Sequence, residues 1–254
     1  MMKRTIHIFA AFAALAMAGN VSHAATVWQY EGAGASSNEW VAARAGSSMV
    51  ALHEAGNGWN APEVKQFGKH RVVEFGEGAS AFAFQNEVTN RVAAVYAVVR
   101  NNAPGELATL IEAPYNVCAR LASSWQWGTA WNWQTELLGW RASYRVNGVD
   151  ATRFEPSNNF QLVEVRFEKP PMMREIYIGN AAASPFWQRH WGSEIGELLF
   201  FTREPTKQEQ FAVYNYLRLK WGVPLSHGPV DAVKVLETLG IRRGPHFSTI
   251  FMVR

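Results

Sequence analysis

The feature that most constrains this chain of 254 residues is a series of short apolar segments separated by glycine and asparagine turns. The segment 91–100 is a valine-rich and almost continuous apolar run, which is typical of a strand buried on both faces. The segment 162–168 alternates between apolar and charged residues, and further strands are predicted over 174–179 and 195–202. The residues predicted to face a core are Val163, Val165 and Phe167, and those predicted to form an exposed charged face are Glu164, Arg166 and Glu168. This pattern indicates an all-β sandwich or jelly roll.

Two local signals predict a tight turn and a helix. Asn147 and Gly148 lie between two apolar stretches, and this pair favours a two-residue type I′ turn, so a β-hairpin is predicted there. Thr206 and Glu209 form a capping box, in which each side chain can bond the backbone N–H of the other residue. An apolar stripe follows up to Gly222, which is expected to end the helix.

The N-terminal residues have the pattern of a secretory signal peptide. Two basic residues precede an apolar run over 6–18, and Ser22 and Ala24 supply small side chains before a cleavage site. The apolar run is too short to span a membrane as a helix. We therefore expect residues 1–24 to be a signal peptide and the mature chain to be exported to the periplasm, the cell surface or the medium.

Three segments resemble bacterial laminin G-like (LamG-like) domains of the concanavalin A-like lectin and glucanase superfamily. They are the Gly-Asn-Gly loop in 55–58 with the strand at 72–75, the Arg-Val-Asn-Gly turn in 144–148, and the closing strand, capped helix and Lys-Trp-Gly ending in 191–222. The resemblance implies a two-sheet jelly roll with one late capping helix. Members of this family often bind carbohydrate or contact surface partners, although the fold alone does not identify a ligand.

The domain boundaries follow from the same segments. Residues 25–223 are predicted to form the LamG-like domain, and residues 224–254 a C-terminal extension. Helical spacing over 229–243 predicts one helix in that extension, and 247–253 is a candidate for a last strand.

Five tryptophans fall within residues 125–140. If 128–130 is a three-residue turn, Trp127 lies opposite Trp131 and Trp125 lies opposite Trp133, and strand alternation puts all four indoles on one face. That face either fills the core or projects as a platform for sugar rings. In a third arrangement the indoles are buried and the opposite, polar face binds the ligand. The candidate ligand-binding residues are Trp125, Trp127, Trp131, Trp133, Gln126, Asn132 and Gln134.

Charge and residue counts weaken several other functions. Removing the two basic residues of the signal leaves 22 basic against 21 acidic side chains, which argues against broad electrostatic binding of nucleic acid or of an anionic membrane. No cofactor is expected. Calcium is usually held by clustered Asp and Asn oxygens, and this chain has two aspartates. The remaining candidates for a calcium site are Asp150 beside Asn147 and the Asn158–Asn159 loop.

Signals for catalysis are weak. Glycosidases need two carboxyl groups at a defined separation, and the sequence contains no Glu-x-Asp strand. Glu194 and Glu197 are three residues apart, so a regular strand would put them on opposite faces, and the family resemblance implies a structural role for Glu197. The sequence therefore favours an exported, non-catalytic LamG-like module that binds carbohydrate or a cell-surface partner. The alternatives are a glycan-active hydrolase or lyase with unrecognised catalytic residues, and a structural envelope component that docks through its extension.

Overall fold

The computed structural model describes residues 27–36, 38–43, 48–51, 60–76, 81–84, 88–102, 108–113, 117–122, 130–131, 142–180, 190–225 and 231–243. The predicted signal peptide, the Gly-Asn-Gly loop at 55–58 and the candidate strand at 247–253 lie outside these residues.

The described residues are mostly strands, as expected for the all-β class. The strands are β1 (Val27–Ala35), β2 (Glu39–Ala42), β3 (Ser48–Ala51), β4 (Glu63–Phe67), β5 (His70–Glu74), β6 (Phe82–Phe84), β7 (Ala94–Asn101), β8 (Thr109–Ala113), β9 (Val117–Ala122), β10 (Ala130–Trp131), β11 (Ala142–Val146), β12 (Val149–Asp150), β13 (Ser157–Phe167), β14 (Tyr177–Ile178) and β15 (Glu194–Phe201). The helices are α1 (Lys207–Trp221), α2 (Ala232–Leu239) and a short 3-10 helix at Met173–Glu175. None of the helices in the described ranges is long and apolar enough to cross a membrane.

The strands form one large antiparallel sheet. Its hydrogen-bonded order is β10-β9-β8-β14-β6-β3-β2-β1-β15-β7-β13-β11-β12, and the β4–β5 hairpin joins it through pairing of β5 with β15. The strands β15, β7 and β13 are adjacent in this order, and each has a hydrogen-bonded neighbour on both sides.

Both faces of β7 and β15 are buried. Alternate residues of β7 enter two different apolar clusters, which confirms the prediction from the valine-rich run. The first cluster lies on the face that carries Val163, Val165 and Phe167, as predicted, and includes the fully buried Trp40 and Trp191. The second cluster lies on the opposite face, where α1 and α2 cover the sheet. We call this opposite face the helix-covered face.

The helix-covered face corrects one prediction from alternation. Glu164 was expected on an exposed charged face, but its side chain is completely buried. It accepts a hydrogen bond from the Tyr214 hydroxyl of α1 and lies 3.5 Å from the Arg166 guanidinium. Burial raises the pKa of Glu164 above its ordinary value, although Tyr214 and Arg166 oppose this effect. Alternation correctly separated the two faces, but it could not show that a helix beginning 43 residues after Glu164 covers the polar one.

A β-bulge corrects a second prediction. Ile195 pairs with Val99 and Glu197 pairs with Val98, so Gly196 is an extra residue in β15. The extra residue resets the alternation, and Glu194 and Glu197 both lie on the helix-covered face instead of on opposite faces.

The predicted tight turn and helix are confirmed. Asn147 and Gly148 both have positive φ angles, 52° and 80°, as a type I′ turn requires. The capping box of α1 forms between Thr206 and Glu209, and Gly222 ends the helix in a left-handed conformation. The strand predicted over 174–179 is shorter than expected, because the chain first makes the 3-10 helix and pairs only at Tyr177–Ile178.

The predicted register of the tryptophan hairpin is wrong. Trp131 lies opposite Leu121, and Ala130 lies opposite Ala122, so Trp131 does not pair with Trp127. β10 instead extends the free edge of β9, which is already paired with β8 on its other side. The predicted turn at 128–130 and the pairing of Trp125 with Trp133 include residues outside those that the structure describes.

Candidate functional site

A cleft of about 630 Å³ opens on the helix-covered face. Four parts of the chain meet there: the β4–β5 turn, the Asn147 turn, the first half of β13 and the end of α1. Its lining residues are Phe67, Gly68, Lys69, His70, Asn147, Ser157, Asn158, Asn159, Phe160, Gln161, Trp221, Gly222 and Pro224.

The β4–β5 turn places an aromatic, a basic and an imidazole side chain at the cleft. Phe67 pairs with His70, which leaves a two-residue turn of Gly68 and Lys69. Gly68 has a φ of 57° at the first turn position, where a type II′ turn favours glycine. Lys69 is exposed at the tip, whereas Phe67 and His70 are partly buried.

Three contacts between rings build one wall of the cleft. The His70 imidazole stacks on the Trp221 indole, with ring centroids 4.2 Å apart and an angle of 24° between the planes. Phe160 contacts Trp221 edge to face at 4.9 Å and Phe67 at 5.2 Å. On the far side of this wall the Arg100 guanidinium lies 4.5 Å from the centre of the Phe67 ring. These contacts hold the rings in fixed orientations.

Trp221 is fixed from below by β15. Its Nε1 donates a hydrogen bond of 2.7 Å to the buried Glu197 carboxylate. Gly196 lies under the indole, and a Cβ on this glycine would be 2.5 Å from the ring. The bulge at Gly196 thus provides both the space for the indole and the orientation of the carboxylate that holds it.

Glu197 is the centre of a buried polar network. Its carboxylate also accepts hydrogen bonds from Gln29 at 2.7 Å and Tyr216 at 2.8 Å, and lies 2.8 Å from Lys220. Burial alone would lower the pKa of Lys220, but Glu197 and Glu31 outweigh it and raise that pKa. The network is consistent with the structural role expected for Glu197 and leaves its carboxylate fully occupied.

Gln29 connects this network to the C-terminal extension. Its side chain accepts a hydrogen bond from the Arg242 backbone N–H at 2.7 Å and donates one to the Arg242 carbonyl at 3.1 Å. Leu236, Leu239 and Ile241 are buried in the cluster beneath α1. The described part of the extension is therefore packed on α1 and joined to β1 through Arg242, and its apolar side chains are buried within the protein.

Amide residues also line the cleft. Asn147 and Gln161 are used within the protein: Asn147 Oδ1 accepts from the Leu162 N–H at 2.9 Å, and Gln161 Nε2 donates to the Glu155 carbonyl at 2.8 Å. Asn158 and Asn159 are exposed and border the open side of the cleft. Such amides can donate to and accept from hydroxyl groups.

The candidate calcium ligands are engaged in other contacts. Asp150 forms an ion pair with Arg145 at 2.6 Å, and Asn147 Oδ1 bonds the backbone as described above. Asn158 Oδ1 accepts from Asn102 at 2.9 Å. In the described ranges, no group of three or more His, Cys, Asp or Glu side chains has the arrangement of a metal site.

The sequence-predicted site residues are only partly described. Trp125, Gln126, Trp127, Asn132, Trp133 and Gln134 lie outside the described residues, and Trp131 is described by its backbone alone. Sequence reasoning missed the cleft because its residues come from four segments between positions 67 and 224. Two signals pointed to parts of it: glycine at the first position of the β4–β5 turn, and the Lys-Trp-Gly ending of α1.

No protein-family model matches this sequence, and no curated protein is significantly similar to it. The laminin G-like resemblance therefore stays a prediction from the residues that carry it.

Proposed function

We propose that this protein is an exported, non-catalytic laminin G-like module that binds a glycan in the cleft between the β4–β5 turn and the end of α1. The cleft itself is the observation that carries the proposal: its lining combines the partly exposed rings of Phe67 and His70, which pack on the buried Phe160 and Trp221, with the exposed amides of Asn158 and Asn159. Apolar C–H faces of sugar rings pack on aromatic surfaces, and amides bond sugar hydroxyls. The proposal includes a two-layer jelly roll. The first apolar cluster supports it, because β2, β3, β6 and β8 contribute to this cluster together with β7, β11 and β13.

The buried carboxylates favour binding over hydrolysis. A glycosidase keeps two carboxyl groups free at the substrate, one as an acid and one as a base or nucleophile. Here Glu197 accepts four contacts from Gln29, Tyr216, Trp221 and Lys220. Glu194 is paired with Arg100 and accepts from the hydroxyl of the preceding serine. Both are committed to the protein interior.

Affinity electrophoresis of the full chain in gels that contain a panel of neutral and acidic polysaccharides tests the proposal. At least one polysaccharide should retard the protein, and incubation should release no reducing ends. Asn159→Ala should weaken the retardation, because Asn159 is exposed at the cleft and its loss leaves the ring wall intact. Gln208→Ala, an exposed amide on α1 away from the cleft, is the matched control.

Three outcomes would overturn this reading. Absence of retardation by every polysaccharide removes the binding function, and release of reducing ends supports the hydrolase or lyase alternative. Loss of retardation in Trp127→Ala and Trp131→Ala, with Asn159→Ala unaffected, assigns binding to the tryptophan segment instead of the cleft.

A further inference from the structure

Taking the proposed glycan-binding cleft as its premise, we propose that the ligand is an acidic glycan whose sugar carboxylate binds between Lys69 and His70. The two residues are adjacent at the β4–β5 turn, and both line the cleft. A lysine ammonium and an imidazole N–H can each donate a charge-assisted hydrogen bond to a carboxylate.

The charges around the cleft are unevenly neutralised. Lys220 contacts Glu197 and Glu31, and Arg100 is paired with Glu194. Lys69 takes part in none of the ion pairs among the described residues, and its side chain is exposed at the mouth of the cleft. The residues that line the cleft include no Asp or Glu in the described part of the chain. A ligand carboxylate that enters the cleft can therefore pair with Lys69, because no carboxylate among the described lining residues competes for that lysine.

His70 is held so that its protonation responds to such a ligand. One face of the ring is stacked on Trp221. Burial, followed by the positive charges of Lys69 and Lys220, lowers the pKa of His70, while the negative charge of Glu197 acts in the opposite direction. An added carboxylate would favour the imidazolium form, because an opposite charge nearby stabilises the charged state. Binding should therefore take up a proton, and affinity should rise as the pH falls.

Contacts with the hydroxyl groups and the apolar face of a sugar do not distinguish an acidic sugar from a neutral one. Asn158 and Asn159 can bond the hydroxyls of any hexose ring, and the partly exposed rings of Phe67 and His70 can pack against any sugar with an apolar face. Selectivity for an acid thus depends on the turn that carries Lys69 and His70. This separates the inference from the proposed function, which requires only that some glycan binds.

Isothermal titration of the full chain with matched acidic and neutral oligosaccharides tests the inference. The probes are hexamers of galacturonate, mannuronate and a glucuronate-containing hyaluronan, each paired with its carboxyl methyl ester, which keeps the ring and hydroxyls and removes the charge. At least one acid should bind about tenfold or more tightly than its ester, the effect of one charge-assisted contact.

Variants test whether the preference for the acid over its ester depends on the β4–β5 turn. Lys69→Gln should abolish most of the preference for the acid and leave the affinity for the ester unchanged. Lys207→Gln is the control, because it also removes one positive charge but lies at the start of α1. With a rise of about 1.5 Å per residue, this position is about 21 Å from Trp221 at the other end of the helix. The preference for the acid should be unchanged in this variant. Between about pH 7.5 and about pH 5.5 the affinity for the acid should increase, and His70→Gln should remove that increase.

The outcomes separate the two proposals. Esters that bind as tightly as the acids overturn the acidic ligand but leave a glycan-binding cleft in place, and so does an unchanged preference in Lys69→Gln. Absence of binding by every acid and every ester, together with no retardation by any polysaccharide, overturns both.

Discussion

Replacing the buried Glu197 carboxylate by an amide should be strongly destabilising. In Glu197→Gln one oxygen becomes an NH₂ group. One carboxylate oxygen accepts from Gln29 and Tyr216, and the other accepts from Trp221 and contacts Lys220. If the new NH₂ group faces Trp221 and Lys220, it meets two donors and both contacts of 2.7–2.8 Å are lost. If it faces Gln29 and Tyr216, the 2.7 Å contact with Gln29 is lost, since only the Tyr216 hydroxyl can also accept.

The size of the effect follows from burial. Glu197 is fully buried and the Lys220 side chain is 13% exposed, so the lysine charge loses one counter-ion where water cannot replace it. Leaving a buried charge without its partner costs about 3–5 kcal/mol. Lys220 keeps Glu31 at 3.0 Å, so we expect a loss near the lower end, about 3 kcal/mol in the free energy of unfolding.

Urea unfolding followed by tryptophan fluorescence measures this loss as a lower midpoint with an unchanged slope. The control is Glu237→Gln, which breaks a 2.7 Å ion pair of a glutamate that is 58% exposed and should cost less than about 1 kcal/mol. The double variant Glu197→Gln with Lys220→Met should cost less than the sum of the single changes, since it also removes the stranded charge. A loss below about 1 kcal/mol for Glu197→Gln, or additive single effects, would refute this reasoning.

Three further predictions test other parts of the structure. Leu236→Ala should destabilise the whole protein by about 2–5 kcal/mol in thermal or urea unfolding, because Leu236 is fully buried under α1, whereas the exposed Thr238→Ala should have little effect; an equal effect of both would show that the extension is not part of the fold. Gly148→Ala should cost more than Gly222→Ala: both have positive φ, worth about 1–2 kcal/mol for an alanine, but only at Gly148 would the Cβ lie 3.0 Å from a tyrosine ring of α1. A smaller loss for Gly148→Ala would contradict the packing. The lowered pKa of His70 means that the unfolded chain binds a proton first as the pH falls, so the free energy of unfolding should decrease between about pH 7.5 and about pH 5. His70→Gln should reduce this dependence on pH, and an identical dependence would contradict its assignment to His70.

Local patterns predicted the valine-rich strand, the Asn147-Gly148 turn and the start of α1. Each formed as predicted, because its signal is carried by neighbouring residues. Periodicity also placed Val163 on the correct face of β13. Periodicity did not predict the burial of Glu164. A side chain on the polar face of a strand stays exposed only if no segment distant in the sequence covers that face.

The sequence by itself therefore determined the all-β class, the hairpin and the limits of α1, all of which follow from periodicity and turn chemistry within a few residues. Only the tertiary structure decided which faces are covered, and it did so through long-range packing. The bulge at Gly196 puts Glu197 under α1, and the end of α1 brings Trp221 against His70, 151 positions earlier in the chain. The cleft exists because these distant segments meet, and a contact between residues so far apart leaves no periodic signal in the sequence.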